Sequence, residues 1–340
     1  MDNHYANVTN LPPHLAAKAA RELGETPEVR EPALAELRQL IASEPDIEWV
    51  RHDDWYLLAF LRCKKFKVDR AFQQLKNYTA FWNENKHLVG TRDQSALRRI
   101  YEPGFSTVLP GTDRNGCRVG CLLPAKMKLS GLKKDGKKQK KKPQFTLEDM
   151  LALNLVMTDY MLQDPELQVN GMMMLENFDG FSLRKCLKWR KSMQGDSETH
   201  KKLMSAMAGI APIRLRGIVL LNAPWYISLL LAVSRPFMPK KMRSRVYSLG
   251  SGDAALASLR ELMDPADLPS EFGGTLNVEP TRFWDNYAAH RPLSDYFTPG
   301  PTQYMGTAVV PGERLTEEMQ AAMQHAASTR MDAEGITLAA

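Results

Sequence analysis

Ile213-Arg-Leu-Arg-Gly-Ile-Val-Leu-Leu-Asn-Ala-Pro-Trp-Tyr-Ile-Ser-Leu-Leu-Leu-Ala-Val-Ser-Arg-Pro-Phe-Met-Pro-Lys-Lys-Met-Arg-Ser-Arg245 places an apolar run between two clusters of cations. From Gly217 to Val233 the run nearly reaches the roughly 17 residues that a membrane-spanning helix needs, but Asn222, Pro224 and Ser228 interrupt it. A span is not expected. Gly217 to Leu221 is instead a short, all-apolar stretch of the type found in parallel strands buried on both faces. Asn222-Ala-Pro is a break that can open a helix, predicted over Trp225 to Ser234. Strand, break and apolar helix flanked by cations read as a gate beside a membrane-docking patch.

The bulk numbers fit a globular chain. With 340 residues, 44% of them hydrophobic, it can bury a substantial core, which implies one main domain with a smaller one attached. The net charge of +6 is local: Lys133 to Lys142 holds seven lysines against Asp135 and accounts for all of it. That loop has no aromatic residue, whereas a nucleic-acid face interleaves cations with aromatics, so no nucleic-acid partner is expected. Cys63, Cys117, Cys121 and Cys186 form no C-x-x-C pair and no zinc spacing, and are read as reduced cytosolic thiols. The N-terminus has no signal-peptide pattern, Asp2 stands where myristoylation needs glycine, and the C-terminus has no prenylation box. A cytoplasmic chain is expected, with any membrane contact peripheral and reversible.

Residues 11–92 read as a helical module. Leu34, Leu37, Leu40 and Ile41 repeat at helical spacing, as do Trp55, Leu58, Ala59 and Arg62, with Asp53 as the cap of the latter. Asp69 is read as the cap of a further helix through Phe72, Leu75 and Phe81, and Arg92 to Gly111 as the passage out. Within residues 93–275, the apolar runs Val119–Leu123, Gly171–Leu175 and Gly217–Leu221 alternate with helical segments at Thr146–Leu162 and His200–Met207. That order predicts an α/β sheet with crossover helices. Residues 276–340 read as a C-terminal extension, an appendage with room to order in part against the body, punctuated by Pro280, Pro292, Pro299 and Pro301, with helical character only over Glu313–Ser328.

Motifs for other chemistries fail on context. Gly131-Leu-Lys-Lys-Asp-Gly136-Lys137-Lys138 resembles a phosphate loop, but Lys138 replaces the Ser or Thr that meets magnesium and no helix opens behind it. A solvated insertion, with an added contact to anionic headgroups, is the better reading. Gly250-Ser-Gly252-Asp-Ala-Ala255 fits a loosened dinucleotide pattern but sits late in the chain, after a Lys/Arg-rich segment read as helical, and is taken as a glycine turn. No G-x-S-x-G elbow occurs and the seven histidines are dispersed, so no nucleophile–base pair is proposed. Glu176 and Asp179 follow a strand where α/β active sites often lie, yet carboxylates there more often cap a helix or pair with a cation. Enzymatic activity is not expected, nor a cofactor or metal. Met150, Met157, Met161, Met172, Met173, Met174, Met204 and Met207 give the middle of the chain a density of thioethers that conform to irregular apolar shapes, which favours a lined cavity over plain core filling.

Pro212-Ile-Arg-Leu-Arg-Gly-Ile-Val-Leu-Leu-Asn-Ala-Pro, Arg235-Pro-Phe-Met, Lys240-Lys-Met-Arg-Ser-Arg-Val and Leu268-Pro-Ser-Glu-Phe-Gly-Gly together resemble the CRAL-TRIO lipid-binding family, in particular its tocopherol- and retinaldehyde-carrying branch. Leu57-Leu-Ala-Phe-Leu-Arg-Cys-Lys-Lys-Phe and Asn177-Phe-Asp-Gly agree with it, and the likeness covers roughly residues 30–275. It implies a mostly parallel sheet flanked by helices that enclose one apolar cavity, with an all-α N-terminal module. Met172, Met174, Ile218 and Leu220 would form the floor. Leu151, Asn154 and Thr158 on one helix, and Leu203 and Met207 on another, would form walls, with polar selectivity at Asn154 and Thr158. Ile227, Leu230, Leu231 and Ser234 would be the inner stripe of a movable lid.

In tocopherol-transferring members a cation cluster beside the lid holds phosphoinositide headgroups, and four of its positions correspond to Arg214, Arg216, Lys241 and Arg245. A fifth falls on Lys64, where the relative has Arg, and a sixth on Gln73, so fork-like phosphate binding is weakened at two places. At about 1 kcal/mol per cation near an anionic surface, four or five still suffice for reversible docking. The resemblance thus implies a monomeric cytosolic carrier of one tocopherol- or retinoid-like lipid, acting at endosomal or other anionic membranes. The rival is a phosphoinositide-binding membrane adaptor with no role in lipid transfer.

Overall fold

Apolar residues at helical spacing build the first third of the chain. The structure, a computed structural model, describes residues 9–45, 47, 51–91, 94–127, 146–194, 197–205, 210–234, 240–304 and 313–314. Helix α1 (Pro13–Leu23) starts on a proline and stops at Gly24, whose φ of 74° suits a residue without Cβ. Helices α2 (Pro27–Ala42), α3 (Asp54–Cys63) and α4 (Val68–Gly90) close a core around Leu34, Leu37, Leu57, Leu58, Leu61 and Leu75. Asp53 holds the cap position of α3, although its side chain makes no cap hydrogen bond. Asp69 is not a cap: it lies within the first turn of α4, where a carboxylate suits the positive helix end, and Lys67 precedes the helix. Fully buried Arg62 joins this module to the rest of the chain, pairing with Glu25 at 2.7 Å and donating to Gln168 at 2.7 Å.

The stretch read as a passage, 92–111, carries helix α5 (Gln94–Tyr101) and most of strand β1 (Ser106–Thr112). Strands β2 (Arg118–Leu122), β3 (Met172–Asn177), β4 (Leu215–Leu221), β5 (Val246–Gly250) and β6 (Glu313–Arg314) follow, and among the described residues the sheet runs in the order β1-β2-β3-β4-β5-β6. β2 to β5 are parallel, with β1 and β6 antiparallel at the edges. An edge strand tolerates Pro110, which has no N–H to donate. The crossovers are α6 (Leu147–Met161) with α7 (Pro165–Asn170), α8 (Leu183–Gln194) with α9 (Ser197–Ser205), and α10 (Trp225–Ser234) with the short α11 (Lys240–Arg243). Each links neighbouring parallel strands in one direction, so the right-handed rule stacks them on the same face. A capping box of Thr146 and Asp149 starts α6.

Helix α12 (Gly252–Leu262) covers the opposite face. Met173, Leu175, Val219 and Leu221 pack there against Leu259, Leu262, Leu268 and Phe272. The segment before Gly250 ends in a strand rather than a helix, so Gly250 and Gly252, at φ 76° and 75°, form the β5–α12 turn. After Gly274 the extension orders against the body, and its first part joins the core: α13 (Arg282–Ala288) buries Phe283 and Trp284. Of Glu313–Ser328, Glu313 and Arg314 alone are described, as strand. The lysine insertion and the phosphate-loop look-alike lie outside the described residues. The α/β class with an all-α N-terminal module is as read from the sequence.

Candidate functional site

Strand alternation gives β3 and β4 two different faces. On the α12 face Met173, Leu175 and Val219 are almost completely buried, as expected in central strands. On the crossover face Met172, Met174 and Ile218 keep accessible surface although they stand in the same strands. Gly120 of β2 makes room for them: a Cβ there would fall 2.6 Å from Met172 Cε and 2.7 Å from Met174 Sδ. Glu176 continues this row. It is set deep enough that burial pushes its carboxyl up to about 7, yet it too keeps accessible surface and has no hydrogen-bond or ion-pair partner among the described residues. Among the described residues this row is less completely covered than the opposite face of the same strands.

The residues anticipated around this row divide in two. Asn154, Met172, Met174, Ile218, Leu230 and Leu231 retain surface. Leu151 is fully covered within the main core, Thr158 is buried beside it, and Leu203 packs on Leu147 and Met150. Leu220 and Ile227 are covered because they pack in one cluster with Tyr226 and Val246. Met207 and the side chain of Ser234 lie outside the described residues. Glu176 was weighed in the sequence for catalysis alone; its place on the floor was readable from its spacing to Met172 and Met174.

Helix α10 is hung from a polar clasp. Asn222 turns the chain with φ 52°, a left-handed conformation that asparagine tolerates, and donates to Asn177 Oδ1 at 2.9 Å. Asn177 in turn donates to the Glu271 carbonyl at 2.6 Å. The Tyr226 hydroxyl donates to the Phe181 carbonyl, which fixes the first turn of α10 to the loop after β3.

Three arginines meet at the start of β4 and β5. Arg214 donates to the Val169 carbonyl and Arg245 to the Leu215 carbonyl. Burial, with Arg216 as the next cause, brings the Arg214 guanidinium down to about 10 and also lowers that of Arg245. Glu22 of α1 faces this cluster, 3.4 Å from Arg216 and 3.8 Å from Arg214. Cys63, at the end of α3, acts electrostatically on both Arg214 and Arg245, and Lys64 follows it as the residue that ends the helix. Gly171, at φ 89°, seats the group: a Cβ would stand 2.2 Å from the Arg214 carbonyl oxygen. Gln73 is exposed and bonds Asn77, and the Lys241 side chain lies outside the described residues. Arg214 and Arg216 thus share one carboxylate, and Lys18 of α1 also interacts with Glu22 and Arg216.

A partly covered apolar sheet face packed with an apolar helix, with arginines at the strand starts, suits a lipid-binding class of α/β protein. Residues 103–274 match the CRAL/TRIO domain, and the chain belongs to that family, whose members bind hydrophobic ligands near membranes. It is similar to clavesin-2 of Homo sapiens, 32% identical over 271 residues that make up 78% of this chain and 75% of that protein. It is also similar to clavesin-1 of Rattus norvegicus, 32% identical over 268 residues, 78% of this chain and 70% of that one. Among solved structures, that of Sfh5 aligns with a TM-score of 0.44 and 13% identity over 77% of this chain and 98% of that one. No helix among the described residues is long and apolar enough to cross a membrane.

Proposed function

We propose that this chain is a non-enzymatic carrier that encloses one tocopherol- or retinoid-like lipid between the crossover face of β3–β4 and helix α10, and exchanges it at phosphoinositide-bearing membranes. The observation that supports this reading is the surface retained at Met172, Met174 and Ile218 in central strands, in a row with the deep-set Glu176. An apolar cargo gains about 25 cal/mol per Å² of its surface that this space takes from water, which outweighs a few hydrogen bonds. Asn154 and the protonated form of Glu176 offer polar selection. Among the described residues Glu176 has no paired base, which supports carriage over turnover.

Arg216, Arg245 and Lys64, with the buried Arg214 behind them, form the headgroup site, and α10 is the lid that swings toward the bilayer. The working place is the cytoplasm, with reversible residence on endosomal or other anionic membranes, as a monomer. Mass spectrometry of lipid extracted from the purified protein is expected to find one hydrophobic molecule per chain. Repeated recovery of the protein without such a molecule sinks the proposal. Arg216→Glu with Arg245→Glu separates carrier from adaptor: a carrier keeps its cargo and transfers it slowly, whereas an adaptor retains no activity. Arg214 is unsuited to this test because it is mostly buried and its reversal strands a charge.

A further inference from the structure

We propose that helix α8 is a second membrane-docking surface, bordering the lid and responding to negative surface charge rather than to a particular headgroup; the word lid here rests on the carrier reading. From Leu183 to Gln194 the helix carries Arg184, Lys185, Lys188, Arg190 and Lys191 and no acidic residue. A merely solvated helix usually mixes signs so that pairs one turn apart attract, but Arg184 and Lys188 are one turn apart and alike. Both are exposed, and neither has an ion pair or hydrogen bond among the described residues. Helical spacing puts them opposite Cys186, which is 4% exposed and faces the core. Lys185 is spent otherwise, donating to the carbonyls of Gly180 at 3.0 Å and Ala125 at 3.2 Å. Among the described residues the acidic groups next in sequence are the exposed Asp179 before the helix and Glu198 on α9.

The position of α8 identifies the partner. Cys186 and Leu183 share an apolar cluster with Phe181 and with Tyr226 and Ile227 of α10, so α8 packs beside the lid's first turn and turns its cationic row outward. Past the far end of the lid come α11 and Arg245. An apolar helix with cations at both ends fits a broad anionic lipid surface, whereas an acidic peptide in one groove meets a single end. α8 would therefore hold the protein flat on the bilayer while Arg216 and Arg245 read the headgroup.

The test is sedimentation of the full chain with phosphatidylcholine–phosphatidylserine vesicles, with and without added phosphoinositide. Each cation near an anionic surface is worth on the order of fivefold in partition, so R184Q/K188Q is expected to bind phosphatidylserine vesicles ~30-fold more weakly. The preference for phosphoinositide vesicles should persist in that variant and fall in R216E. The single changes, each ~5-fold, keep the measurement available if the double variant loses thermal stability. Unchanged binding of R184E/K188E at low salt overturns the proposal and leaves an acidic protein as the partner; so does a native chain that ignores phosphatidylserine. Absence of cargo with α8-dependent binding intact overturns the carrier reading alone.

Discussion

A carboxyl in the middle of an apolar face is costly unless it stays neutral or finds a partner. Glu176 has neither a hydrogen bond nor an ion pair among the described residues, and burial pushes it up to about 7 from an ordinary 4.5. Between these values the native state holds a proton that the unfolded chain releases, so stability falls as pH rises through the window and the full cost stands above it. Glu176→Gln is expected to stabilise the delipidated protein by about 3 kcal/mol at pH 8 and by almost nothing at pH 4. Thermal denaturation at the two pH values checks this, and an equal gain at both defeats the assignment. Glu22 poses the opposite problem, a carboxylate already occupying a cation site. A headgroup must compete with it, so Glu22→Gln is expected to tighten binding to phosphoinositide vesicles about fivefold while lowering the melting temperature slightly. Weaker binding in a vesicle titration would mean that Glu22 positions the arginines instead.

Helix α10 leaves the sheet through Asn222 and is held at its first turn by the Tyr226 hydroxyl on the Phe181 carbonyl. Tyr226→Phe removes that bond, worth about 1 kcal/mol, and keeps the edge contact with Trp225. Cargo release to acceptor vesicles is expected to quicken about fivefold with little change in melting temperature; an unchanged release rate would show that the lid opens elsewhere. This helix and strands β3 and β4 were legible in the sequence because uninterrupted apolar runs mark them. Others were not. β1 carries Pro110 and Gly111, which break a strand pattern but cost little at an edge. β5 is five residues long and follows a cationic run, and the five cations of α8 hide its apolar side. In the site, Arg214 just before β4 and Arg216 within it are two residues apart in extended chain and were readable as a pair. Arg245 joins them through the β4–β5 pairing and Glu22 through the packing of α1, contacts between distant parts of the chain that no local pattern encodes.

The segment from Thr281 to Tyr304 binds the helical module and the sheet into one body. Arg98 of α5 pairs with Asp285 at 2.8 Å, and Asn286 donates to the Tyr160 hydroxyl of α6 at 2.6 Å. Further on, Arg118 of β2 donates to the Thr298 carbonyl at 2.7 Å, pairs with Asp164 at 2.6 Å and lies 4.1 Å from the Phe297 ring. Gly300 N–H donates to Glu166 at 2.7 Å, and Tyr304 stacks under Lys18 of α1, whose ammonium is 3.8 Å from the ring centre. Sequence punctuation by prolines suggested an appendage because each proline breaks a helix pattern; the aromatic residues between them carry the burial instead. The CRAL/TRIO match stops at residue 274, before any of these contacts, so the domain's core is completed by residues beyond it. Trp284 stands at 1% exposure in the cluster that also holds Leu97, Leu151 and Phe283, and these lie on α5, α6 and α13. Trp284→Ala leaves a cavity among all three helices and is expected to cost about 3–5 kcal/mol in urea denaturation. A chain ending at Thr275 loses the whole belt and should be recovered aggregated, whereas one ending at Tyr304 should melt cooperatively; a Thr275-terminated chain with a native-like transition would show that the segment only decorates the core.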